Sequence, residues 1–183
     1  MAAFANNVDS DSLFGFSANP ANYYYRFLGE RRMLAAVHAR LAGSCSSYYQ
    51  KNCTENWEIR HLYAVEADAK PNTNMTIPKR ILYVDSEGWF ITASDQYDRQ
   101  GQLWKTLVTF NAYRDRAVPG ARVAIWPFKR MFQTALVDED LTDGFSTVVY
   151  SPGPDSRDDG MYINMGAIDQ TFFTPEKMVQ AGH

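Results

Sequence analysis

Cysteine is scarce in this chain: Cys45 and Cys53 are the only two, separated by seven residues rich in Ser, Tyr, Asn and Lys. Without companion His or Cys residues at ligand spacing they do not make a zinc site. A disulfide between them would contribute about 2–3 kcal/mol in the chain-entropy model, and two free thiols are the alternative. The three histidines, His38, His61 and His183, are scattered. No Gly-x-Ser-x-Gly elbow, His-Glu-x-x-His pair, phosphate-binding glycine loop or dinucleotide fingerprint occurs, so the usual marks of an enzyme are missing. Basic residues are too few for nucleic acid: 18 Lys and Arg face 21 Asp and Glu, a net charge of −3, where phosphate neutralisation needs a concentrated cationic surface. No run of about 18 apolar residues marks a transmembrane helix. The opening Met-Ala-Ala-Phe-Ala-Asn-Asn-Val-Asp-Ser carries no cation before Arg26 and no continuous apolar core, so no export signal is legible.

Aromatics are plentiful. Eleven Tyr, eleven Phe and four Trp make up 14% of 183 residues, which favours strands and large buried contacts. The clearest pattern lies between residues 79 and 113. Ile81-Leu-Tyr-Val84 runs into Asp85-Ser-Glu-Gly88, Trp89 to Ala93 follows, and Asp98-Arg-Gln-Gly101 leads into Leu103 to Phe110. Asp at the first turn position accepts backbone N–H groups, and Gly at the fourth tolerates positive φ. Two such turns thirteen residues apart predict a three-stranded antiparallel meander.

Further strands are expected at Trp57 to Val65, where Trp57, Ile59, His61 and Tyr63 share a face, at Phe132 to Val137, and at Phe145 to Tyr150 beyond the Asp140 to Gly144 turn. Ser151-Pro-Gly-Pro154 breaks the pattern, and Pro152 to Gly160 reads as loop before a short strand at Met161 to Met165. Thr174-Pro175-Glu176 has the N-cap, proline and acidic first turn of a brief helix. Tyr23 to Leu28 reads as extended. Residues 31–41 are ambiguous, since good helix formers are followed by Gly43 as a stop. The expected organisation is a disordered or extended lead-in over 1–18 and a single, mainly β domain over 19–183: one curved antiparallel sheet with little helix.

Several of these segments carry a resemblance. Asn19-Pro20 through Tyr25-Arg-Phe-Leu-Gly-Glu-Arg-Arg-Met33, then Leu82-Tyr-x-Asp-x-Glu-x-Trp89, then Asp95-x-Tyr-Asp-x-x-Gly-x-Leu-Trp104, resemble a bacterial family of unknown function known as LolA-like outer-membrane lipoprotein-sorting proteins. The resemblance covers residue 19 to the C-terminus. Members are usually longer, and this chain is similar to their C-terminal half. The resemblance implies a half-barrel sheet of the LolA/LolB type, a periplasmic location, a lipid or lipoprotein acyl chain as partner, and no catalytic residue or cofactor.

Apolar side chains on a bent sheet can replace water around a lipid tail at about 0.8 kcal/mol per buried CH₂. The candidate lining is Trp57, Ile59, Tyr63, Ile81, Tyr83, Trp89, Ile91, Leu103 and Leu107, read as one alternate set from neighbouring strands; the same residues would otherwise form ordinary core. Asp138-Glu-Asp140 with Asp143-Gly144 has the wrong glycine spacing for a calcium loop, so no metal is expected. Asp95 and Asp98 flank Tyr97, but Asp98 already serves its turn. A sheet of half length leaves edges that recruit partners, and homo-oligomerisation through them is the competing expectation.

Overall fold

The computed structural model describes residues 9–39, 55–116, 125–150 and 174–181. Among these residues seven strands follow one another in a single antiparallel sheet ordered as they occur in the chain: β1 Tyr23–Ala35, β2 Glu58–Ala69, β3 Lys79–Asp85, β4 Ile91–Tyr97, β5 Leu103–Arg114, β6 Arg130–Asp140 and β7 Ser146–Tyr150. A short helix, α1 Pro175–Ala181, starts where Thr174 accepts a hydrogen bond on its hydroxyl from the Lys177 amide at 3.3 Å. The expected strand at Met161 to Met165, the loop from Pro152 to Gly160, the Cys45–Cys53 pair and His183 lie outside the described residues.

The ambiguous stretch from Arg31 joins a strand. Its helix formers lose to a continuous ladder in which Arg31 pairs with Leu62, Met33 with Arg60 and Ala35 with Glu58, because local propensity of a few tenths of a kcal/mol per residue yields to tertiary pairing. The predicted meander is present as β3, β4 and β5. Its second turn has Gly101 at φ 77°, and the Asp140 turn has Gly144 at φ 73°. The first turn is built differently. There Trp89, not Gly88, occupies the left-handed region at φ 57°. Gly88 is required for space: a Cβ on it would lie 2.2 Å from the Phe90 ring.

The sheet is strongly bent. Beyond β1, the Ala36 carbonyl accepts from Asn111 N–H at 2.8 Å, and Ala39 N–H donates to the Asn111 carbonyl at 2.7 Å. In a flat sheet β1 and β5 would stand roughly 19 Å apart, four strand spacings, so direct bonding between them requires the sheet to curl. The register assigns the two faces. On one, Ala36, Ala39, Val108, Phe110, Ala135 and Val137 form a core with Trp57 packed against it. On the other, Ala18, Tyr23, Ala67 and Leu82 are buried with Phe16, Met75, Val84 and Ile91 around them.

That second face is partly covered by residues expected to be disordered or extended. Ser10–Gly15 forms 3-10 turns, begun by Asp9, whose carboxylate accepts from the Asp11 amide. Ser12 is fully buried. Gly15 passes so close to β4 that a Cβ there would meet Ile91 at 2.6 Å.

Candidate functional site

Position along the strands divides the covered face into two regions of opposite character. Beneath Ser10–Gly15 the sheet is polar. Arg80 on β3 pairs across with Gln96 on β4, Gln96 with Lys105 on β5, and Lys105 with Asp140 on β6, while the next row sets Ser94 beside Leu107 and Leu107 beside Asp138. All of these are buried. Ser12 accepts from Arg80 at 2.8 Å and from Gln96 at 3.3 Å on its hydroxyl oxygen. The Lys105 ammonium stands 3.8 Å from Asp138 and 3.9 Å from Asp140. Among the described residues, Arg80 Nε and Nη2, Ser94 Oγ and both Asp138 oxygens have no hydrogen-bond partner. Burial is the main cause that pushes the Asp138 carboxyl up to about 6, with Lys105 and Arg80 opposing it and Asp140 and Asp9 adding to it.

Toward the opposite strand ends the same face becomes apolar and open. Phe27 on β1 meets Tyr63 on β2 edge to face with centroids 6.0 Å apart, and Tyr63 meets Trp89 at 5.6 Å. Tyr63 pairs across with Val84, and Val84 with Ile91. Ile91 then borders a hollow of about 300 Å³ that it shares with Phe14, Phe90, Met131 and Phe132. Phe27 is 61% exposed, Ile59 62% and Trp89 72%. The exposures of Phe27 and Trp89 matter because both rings contact Tyr63 and so form a row, where scattered exposed apolar residues would mean little.

Trp89 is held outward by its turn. The Asp85 carboxylate accepts from the Glu87 and Gly88 amides at 3.0 and 2.6 Å, and the Arg60 guanidinium binds Asp85 at 2.8 and 3.2 Å and Glu87 at 2.7 Å. Burial raises the Asp85 carboxyl, but these bonds outweigh it and leave the group below the ordinary carboxylate range. A tryptophan with positive φ costs about 1–3 kcal/mol of backbone strain. The Arg60–Asp85 pair keeps it there.

The nine residues expected to line one face are divided by the register. Ile59, Tyr63, Ile91 and Leu107 share the face just described, Trp89 projects from its turn, and Leu107 is buried beneath the polar row. Ile81 and Tyr83 point to the other side, because β2 and β3 pair odd positions with even ones: Glu66 with Ile81, Ala64 with Tyr83. There Tyr83 donates its hydroxyl hydrogen to Asp95 at 2.8 Å. Burial first, and then that bond and the charge of Asp95, raise the Tyr83 phenol above its ordinary value. Trp57 meets Phe110 edge to face, with centroids 5.6 Å apart, in the other core. Leu103 lies just before a bulge at Trp104, opposite Tyr97, and is exposed. Sequence reasoning missed Phe27, Val84, Phe14, Met131 and Phe132. Phe27 was within reach, since Tyr23, Tyr25 and Phe27 alternate; Phe14 had no local signal.

The arrangement offers an open apolar surface beside a buried polar row. No cluster of three or more His, Cys, Asp or Glu able to hold a metal occurs among the described residues, and none of their helices is long and apolar enough to cross a membrane.

A family model described as protein of unknown function (DUF1329) matches residues 2–178. The chain belongs to this family. No curated protein matches it. The DUF1329 chain is similar in fold to a candidate outer membrane lipoprotein-sorting protein domain from Vibrio parahaemolyticus, with a TM-score of 0.52 at 14% identity, covering 88% of this chain and 50% of that one. It is likewise similar to a LolA superfamily protein from Nitrosomonas europaea, with a TM-score of 0.50 at 16% identity, covering 96% of this chain and 59% of the other. At these identities the likeness is one of fold: an open, curved, antiparallel LolA-like sheet. This DUF1329 chain spans about half the length of the first of these proteins and 59% of the second.

Proposed function

We propose that this DUF1329 chain is a non-catalytic binding protein that shelters an acyl chain of a lipid or lipoprotein on the open apolar part of its sheet. The observation that carries the reading is the unbroken row from Phe27 through Tyr63, Val84 and Ile91 to the hollow of about 300 Å³. That volume is at the small end of ligand clefts, roughly 300–1,000 Å³. Burying ten methylenes against such a surface would release about 8 kcal/mol before the costs of association. The likeness to a candidate lipoprotein-sorting domain supports the same ligand class and a periplasmic location.

A fluorescent long-chain acyl probe titrated into delipidated protein tests the reading. Saturable binding is expected, and Tyr63→Ala with Trp89→Ala weakens it about tenfold or more, since truncating a contacting aromatic removes at least about 1.4 kcal/mol. Binding that is absent, or unchanged in the variant, overturns it. One observation favours a second reading, self-association: among the described residues β1 is a thirteen-residue strand at the edge of the sheet with Tyr24 and Tyr25 exposed, and such edges template further pairing. Sedimentation as a monomer at micromolar concentration would remove that alternative.

A further inference from the structure

The opposite end of the sheet holds a second hollow, of about 460 Å³, where the loop between β2 and β3 meets the turns joining β4 to β5 and β6 to β7. Its lining is the reverse of the apolar one. Trp104 supplies the flat surface, and Asn74, Thr76, Gln100 and Thr142 supply amides and hydroxyls. Arg99 and Asp98 add one charge of each sign.

Two of its walls are fixed by hydrogen bonds. The Asp98 carboxylate accepts from the Gln100 and Gln102 amides at 2.9 and 2.8 Å, fixing one turn. Asp140 accepts from the Thr142 amide at 2.9 Å and the Thr142 hydroxyl at 2.6 Å, fixing the other. It also accepts from Trp104 Nε1 at 2.9 Å, and the Leu141 amide donates to the Trp104 carbonyl at 2.9 Å. The indole is therefore pinned to the turn that joins β6 to β7. The Lys105 ammonium sits over the ring, 4.7 Å from its centroid, so stacking by a ligand uses the other face.

We propose that this cleft binds a carbohydrate ring. A sugar presents a C–H face that packs on an indole, and hydroxyls that each donate and accept, matching the dual capacity of Asn, Gln and Thr side chains. An acyl chain fits badly, because each polar group it covered without a partner would cost about 1–3 kcal/mol. A phosphate finds one cation, Arg99, with the Asp98 carboxylate lining the same cleft. A divalent cation finds one carboxylate. The site is separate from the acyl surface: Asn111, which also lines the smaller hollow, and Trp104 are seven residues, roughly 23 Å, apart along β5.

Saturation-transfer NMR against a panel of methyl hexosides, N-acetylhexosaminides, uronides and short oligosaccharides tests the proposal, followed by titration of ¹⁵N-labelled protein with the best binder. The expected result is saturable binding whose shifts concentrate at residues 98–104, 74–76 and 142. The double variant Arg99→Ala, Gln100→Ala, on an exposed turn, should weaken it about tenfold or more with unchanged melting temperature and unchanged acyl-probe binding. No response to any saccharide overturns the proposal. So does a response that persists undiminished in the double variant, or shifts at these residues driven equally by inorganic phosphate.

Discussion

Asp138 makes the pH dependence of stability calculable from the structure. The side chain is 1% exposed, and neither oxygen accepts a hydrogen bond among the described residues. The groups that face it are Lys105 from β5 at 3.8 Å, Arg80 from β3, Asp140 from its own strand and Asp9 from the covering segment. Burial dominates, and the carboxyl is raised from 3.8 to about 6. The folded state thus holds the proton more tightly than the unfolded chain. Stability from this group is fully present below pH 3.8 and is lost as pH rises through about 6. At about 1.4 kcal/mol per tenfold difference in proton affinity, the loss is on the order of 3 kcal/mol. The perturbation is Asp138→Asn, which keeps the shape and removes the titration. Urea unfolding of both proteins from about pH 4 to about pH 8 yields a difference curve in which carboxylates common to both cancel. The variant should gain on the parent by about 2–3 kcal/mol across that window, rising steadily between about pH 4 and pH 6 and levelling off above it. A flat difference curve, or one in which the variant loses ground as pH rises, would refute the reasoning. It would mean that Lys105 and Arg80 fully compensate the buried charge.

Other consequences follow from single contacts. Gly88→Ala drives a Cβ to 2.2 Å from the Phe90 ring and 2.7 Å from the Tyr113 hydroxyl, and should lower stability by about 1–3 kcal/mol in chemical denaturation. Arg60→Met strands the fully buried Asp85 carboxylate; a loss of about 3–5 kcal/mol at neutral pH is expected. The Asp85 carboxyl of the parent lies below its ordinary value, so its stabilising contribution is present above that value and fades on acidification. The gap to the Arg60 variant should therefore narrow in acid. Trp89→Ala should leave the melting temperature within a few degrees, because the ring is mostly exposed and surface changes usually stay within about 0.5 kcal/mol, while acyl-probe binding falls.

The turns were readable because aspartate and glycine act locally. Asp85, Asp98 and Asp140 each cap their own loops as their spacing predicts. Strand existence was equally legible from runs such as Ile81 to Val84. The division of faces was not. A one-residue change of register moves a whole alternate set across the sheet, and single-strand periodicity carries no information on how Tyr63 lines up with Val84 instead of Tyr83. The bulge between Tyr83 and Val84 then brings Ile91 onto the face of Val84. The polar row was hidden for a related reason. Arg80, Gln96 and Lys105 read singly as solvated strand positions, and the docking of the segment from Ser10 to Phe16, a tertiary event, covers Arg80 and Gln96. The strand at Arg31 to Ala35 was obscured by helix propensity that pairing with β2 overrode.

Native mass spectrometry of gently purified protein tests the central claim most directly. Adducts in the mass range of acyl-bearing lipids or lipopeptides, depleted in Tyr63→Ala with Trp89→Ala, are the predicted result. Unliganded protein alone, from a preparation that keeps its native fold, would contradict an acyl-sheltering role for the Phe27–Tyr63–Trp89 surface.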